Sequence, residues 1–119
     1  MSDAIKEKLQ IDLAGRRVFQ PLEPVSVAVA WSLDRPPDPL ELDLVWRTEG
    51  RGTTHRAAAY RRTWGGGTVT DAGAEVIELA MPVGPLSRGG KLISIEWHFA
   101  LRGGGEEVTL PIKLVTPQT

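Results

Sequence analysis

The sequence predicts an all-β protein, an antiparallel β-sandwich of about seven strands, on three observations. The stretch Leu92 to Arg102, LISIEWHFALR, alternates strictly enough that Ile93, Ile95, Trp97, Phe99 and Leu101 share one face while Ser94, Glu96, His98 and Arg102 share the other. A period of two marks a strand with one buried and one wetted face. Glycine and proline recur at short intervals, leaving apolar or alternating runs of about six to ten residues, the spacing of a sandwich or barrel. No long run carries the 3.6-residue period of an amphipathic helix.

At 119 residues the chain is about one domain long. Residues 1–119 therefore read as a single sandwich, with residues 1–7 a loose N-terminal segment. The first strand runs from Lys8 to Leu13, with Leu9, Ile11 and Leu13 inward and Gln10 and Asp12 outward, and Ala14 to Arg17 forms a turn. Val25 to Leu33 follows, with Val25, Val27, Val29, Trp31 and Leu33 on the core face and Ser26, Ala28, Ala30 and Ser32 opposite. Those small side chains leave room for something to lie close above the strand. Pro36, Pro37 and Pro39 then break it, because their fixed φ and missing N–H groups interrupt pairing. Leu40 to Thr48 resumes the alternation, with Leu40, Leu42, Leu44 and Trp46 inward and Glu41, Asp43 and Arg47 outward.

Glu49 to Gly52 reads as a turn in which glycine supplies positive φ. Thr53 to Trp64 is its returning strand, although Ala57-Ala58-Ala59 also suits a short helical turn. Gly65 to Gly67 ends it. Glu75 to Met81 offers Ile77, Leu79 and Met81 to the core, Pro82 to Gly90 is a loop, and the strand Lys91 to Arg102 leads to a hairpin loop at Gly103 to Gly105. Val108 to Val115 closes the fold with Val108, Leu110, Ile112 and Leu114 inward. Its Pro111 has no N–H to give a ladder and belongs on an edge or bulge.

The composition, 41% hydrophobic and 24% charged with a net charge of −1, is that of a soluble globular protein and gives no general attraction to nucleic acid or anionic membrane. With no cysteine, disulfides, thiolate metal sites and thiol nucleophiles are excluded. The N-terminus, MSDAIKEKLQ, mixes charges and has no apolar run, so neither a secretory signal nor a membrane span is expected, and the default compartment is the cytoplasm. A mature exported domain would look the same.

No residue set here resembles a catalytic constellation. His98 and Glu96 share an outward face at a spacing that suits a metal or an acid–base pair, but the chain's other histidine, His55, lies in a separate segment, and two ligands do not complete a site. The outward Glu41 and Asp43 and the loop pair Glu106-Glu107 lack the burial that separates catalytic carboxylate pKa values. The serines lie in no nucleophile motif, and the triple-glycine tracts lack phosphate-loop spacing. Of four tryptophans, Trp31, Trp46 and Trp97 are in register with core residues, which leaves Trp64 as the one placed to be an exposed platform for a sugar. One charge feature stands out: Arg47, Arg51, Arg56, Arg61 and Arg62, with His55, face only Glu49 in opposition, a locally basic hairpin suited to an acidic partner or to simple solvation.

The segments VFQPLEPVSVAVAW, PLELDLVWRTEGRGT and GKLISIEWHFALR resemble the arrestin-like family, in particular small single-lobe bacterial members with an SIxW pattern in the penultimate strand. The resemblance spans most of Arg17 to Leu101 and implies an immunoglobulin-like sandwich that binds cargo or receptor segments along strand edges, without enzymatic activity. Leu22 and Val27 stand where such proteins are expected to carry glycine. No phosphate sensor or polar core can be matched.

The expected function is therefore that of a non-enzymatic interaction module. It needs no cofactor or metal, does not bind nucleic acid, and takes a protein partner through strand edges or the hairpin residues Arg47, Arg51, Arg56, Arg61 and Arg62 with Trp64. The alternative is a carbohydrate or other small-molecule module using Trp64. Self-association as a dimer is expected through an open strand edge or the small-residue face of Val25 to Leu33.

Overall fold

Strands form where the alternation places them, and two more appear where it is too short to read. The structure, a computed structural model, describes residues 4–6, 8–37, 39–50, 54–65, 70–89 and 93–116. These contain nine strands: β1 (Ala4–Lys6), β2 (Leu9–Asp12), β3 (Val18–Phe19), β4 (Pro24–Ser32), β5 (Leu40–Gly50), β6 (Arg56–Trp64), β7 (Ala72–Ala80), β8 (Ile93–Gly103) and β9 (Glu106–Leu114). They make a four-stranded sheet, β1-β2-β4-β7, packed on a five-stranded sheet, β3-β9-β8-β5-β6. All pairs are antiparallel except β3 with β9, which is parallel.

The expected seven strands are thus nine among the described residues, because β1 and β3, at three and two residues, are shorter than any periodicity can show. The N-terminal segment is correspondingly not loose over its whole length, since Ala4–Lys6 pairs with Leu9–Ile11. β4 is not an edge strand. It lies between β2 and β7, so only its outward face is open: Ser26 and Ser32 are exposed, Ala28 and Ala30 half-buried, and Ser26 Oγ donates to Glu78 Oε1 at 2.7 Å.

The inner faces supply one core. Leu9, Ile11, Val27, Leu40, Leu42, Leu44, Phe99 and Leu101 are fully buried, with Trp97 1% and Trp31 8% exposed. Both indoles also satisfy their N–H, Trp97 Nε1 donating to Pro85 O at 2.6 Å and Trp31 Nε1 to Thr70 O at 3.0 Å. An acceptor for that polar edge removes the cost of burying an unpaired N–H along with so large an apolar body. Trp46 is only half-buried at the margin of this core.

Local chemistry fixes the turns. The β8–β9 connection is a two-residue loop, Gly104-Gly105, with φ of 59° and 78°, the conformation of a type I′ hairpin that glycine adopts without strain. Gly103 and Glu106, read as loop, instead pair with each other as the first rung of the ladder. Glu49 and Gly50 likewise extend β5, while Arg51, Gly52 and Thr53 lie outside the described residues. The alanine-rich centre of β6 is strand rather than helical turn. Leu44 pairs with Tyr60 and Val45 with Ala58, so Ala59 is the extra residue of a β-bulge.

Candidate functional site on the outer face of the five-stranded sheet

The outward positions of β9, β8, β5 and β6 fall into rows across the sheet, set by register. One row runs Glu107, Arg102, Glu41 and Thr63; the next runs Thr109, Ala100, Asp43 and Arg61. A third places Pro111, His98, Val45 and Ala58 side by side, and a fourth places Glu96, Arg47 and Arg56.

The first two rows are charge-compensated. Asp43 is buried, a correction to the wetted-face placement: the backbone does point it outward, but two arginines close over it. Arg61 Nε donates to Asp43 Oδ1 at 3.0 Å and lies 2.7 Å from Glu41 Oε1, and Arg102 Nη2 reaches Asp43 Oδ2 at 2.5 Å and Glu41 Oε1 at 3.1 Å. Arg102 Nη1 extends the chain to Glu107 Oε2 at 3.6 Å. The hydrogen bond to Asp43 and the fields of Asp43 and Glu41 push the Arg61 guanidinium pKa further up. This lattice ties four strands together and offers no free cation.

The other end differs. Beyond the Trp97–Ile112 pair, β8 and β9 separate, and the loop Ser87–Gly89 wedges between them. Arg88 N–H donates to Ile95 O at 3.0 Å and Ile95 N–H to Arg88 O at 2.7 Å. On the other side Ser87 N–H donates to Leu114 O at 2.7 Å, and Leu114 N–H to Ser87 Oγ at 2.8 Å. The wedge walls a groove of about 780 Å³ on the outer face, lined among others by Arg47, Arg56, Arg88, His98, Lys113 and Glu107. Arg47 is held by Glu96, at 3.0 Å, and Glu49, at 3.5 Å. Arg56, Arg88 and Lys113 make no ion pair among the described residues. Half-buried His98 sits in the row between Val45 and Pro111, and burial, then the positive fields of Arg56 and Arg47, lower its pKa below the ordinary 6.5 against the opposing pull of Glu107 and Glu96.

The hairpin residues therefore do not form one basic surface. Arg47 and Arg56 border the groove, Arg61 belongs to the compensated lattice, and Arg51 lies outside the described residues. Arg62 pairs opposite Leu42, so it projects from the other face, where its guanidinium lies 5.3 Å from the Trp64 ring centroid. Trp64 is not an exposed platform. It is half-buried against the core, and Arg62 already occupies one ring face, because Trp64 pairs opposite inward Leu40. Arg88 and Lys113 were not legible as partners of this site, since the wedge that unites them depends on backbone bonds rather than a sequence motif.

Among the described residues no group of three or more His, Cys, Asp and Glu could hold a metal ion, and no helix is long and apolar enough to cross a membrane. No protein-family model matches the sequence, and no curated protein matches it. Among solved structures, the sporulation control protein Spo0M from Bacillus subtilis superposes with a TM-score of 0.62 at 14% sequence identity, over 98% of this chain and 51% of that one. This chain thus spans about half the length of that protein. At such identity the likeness concerns fold alone: this chain is a two-sheet β-sandwich similar in architecture to Spo0M.

Proposed function

We propose that this chain is a non-enzymatic interaction module of arrestin-like type that holds an acidic segment of a protein partner in the groove beside the Ser87–Gly89 wedge. The observation that carries this reading is that Arg56, Arg88 and Lys113, without ion pairs among the described residues, line one groove in a chain of net charge −1. Surface cations are ordinarily interspersed with acids, as at the opposite end of the same face. Here the acids lining the groove, Glu96 and Glu107, contact Arg47 at 3.0 Å and Arg102 at 3.6 Å instead. A groove with surplus positive charge concentrates anionic segments and selects against basic ones.

The test is calorimetric titration with a hexa-aspartate peptide at low salt. Binding should weaken about tenfold or more in the double variant Arg88→Glu/Lys113→Glu, because each reversal turns an attraction into a repulsion of similar size. Arg61→Gln, in the compensated lattice, should change it little. Binding should also weaken between low and physiological salt, where exposed charges are screened over about 8 Å. Equal binding by the wild type and the double variant would remove this function from the groove.

A further inference from the structure

The groove's cations are permanent charges, yet a titratable imidazole sits among them. His98 is the one histidine lining the groove, and its surroundings are visible from every neighbouring strand. Arg47 faces it from β5, Arg56 from β6 and Glu107 from β9, with Glu96 on its own strand; Arg88 and Lys113 stand on the groove wall. Its direct cross-strand neighbours, Val45 and Pro111, offer no side-chain acceptor, and Val45 is buried.

An empty groove therefore opposes a charge on His98, through burial and through Arg56 and Arg47. A bound anion reverses both influences. It places negative charge beside the ring and neutralises the arginines that repelled the proton. Whatever favours the protonated ring when the anion is present must, by linkage, favour the anion when the ring is protonated.

We propose that occupancy of this groove by an acidic segment is coupled to proton uptake at His98, so that the module grips acidic partners more tightly as pH falls through the histidine range. The inference rests on the groove being the binding site. It adds that affinity is set by pH through one named residue.

The probe is again hexa-aspartate, whose carboxylates, with ordinary pKa near 3.9, stay ionised above pH 5.5. Titrations of the full chain at pH 8.0, 7.0, 6.0 and 5.5 should show affinity rising about three- to tenfold toward acid, which corresponds to a pKa displacement of roughly half to one unit. At pH 6.0, calorimetry in two buffers of different ionisation enthalpy should show net proton uptake on binding. In His98→Gln both the rise and the uptake should vanish. A wild type that binds with pH-independent affinity and no proton uptake, or an unchanged pH dependence in His98→Gln, overturns the coupling while leaving the groove as the site. No binding at any pH overturns both.

Discussion

The two ends of one sheet face use the same residue types for opposite ends. At the Arg61–Asp43–Arg102 end, each guanidinium meets two or more carboxylate groups or oxygens at hydrogen-bonding range, and the only deeply buried carboxylate of the described core lies between them. At the wedge end, Arg56, Arg88 and Lys113 surround a concavity with no such partners among the described residues. The difference teaches that arginine count alone says little. Register decides which arginines are consumed by the fold and which stay available: Arg61 lies opposite Asp43, whereas Arg56 lies opposite another arginine, Arg47.

That contrast can be broken from below. Trp97 packs under the face and its N–H holds Pro85, two residues before the wedge. Trp97→Ala should cost about 3–5 kcal/mol of stability by chemical denaturation, a large share of a domain's total. A loss under about 1 kcal/mol would show that neither end depends on this anchor. At the compensated end, Asp43→Ala should cost about 2 kcal/mol through lost charge-assisted hydrogen bonds, the exposed arginines rehydrating rather than remaining stranded. Peptide binding at the wedge should be unaffected. A variant that kept full stability, or lost the peptide, would erase the distinction between the ends.

A smaller effect is expected away from both. Leu22 occupies the third position of a turn closed by Glu23 N–H to Gln20 O at 3.2 Å, with φ of 65° and its side chain 65% exposed. Pro21 before it and positive φ here are the marks of a type II turn, in which glycine is preferred. Leu22→Gly should stabilise the chain by up to about 1 kcal/mol while leaving both ends unchanged, and destabilisation would show that the leucine side chain holds the turn.

The least of these effects is a slope. Because His98 titrates below its unfolded value, the unfolded chain takes up a proton first as pH falls through about 6.5. The stability associated with neutral His98 is therefore present above that pH and declines below it, levelling off once the folded protein is protonated too. Denaturation midpoints compared between pH 7.5 and 5.5 should fall less in His98→Gln than in the wild type. Identical slopes would show that the ring is not held neutral by its neighbours.

Much of the fold was legible because a period of two is a local property. The facing of β4, β8 and β9 and the burial of Trp97 follow from alternation alone. Even the departure noted at Leu22 corresponds to a physical fact, a leucine in a left-handed conformation. What alternation does not reveal is what covers an outward side chain. Asp43 reads as wetted because its burial depends on Arg61 and Arg102, 18 and 59 positions away. Arg62 and Arg61 are neighbours in sequence and therefore enemies in a sheet, one on each face. Val27, the other glycine substitute, is simply core. The groove was least legible of all, since it combines a hairpin, a loop wedge and the last strand.

Backbone amide shift mapping compares the two ends in a single sample. With ¹⁵N-labelled protein and hexa-aspartate added at pH 6.0 and low salt, the proposed function predicts saturable shifts at Arg56, Arg88, His98 and Lys113 with Asp43, Arg61 and Arg102 nearly still. Shifts centred on the Asp43 lattice, or spread evenly over the surface, would contradict it.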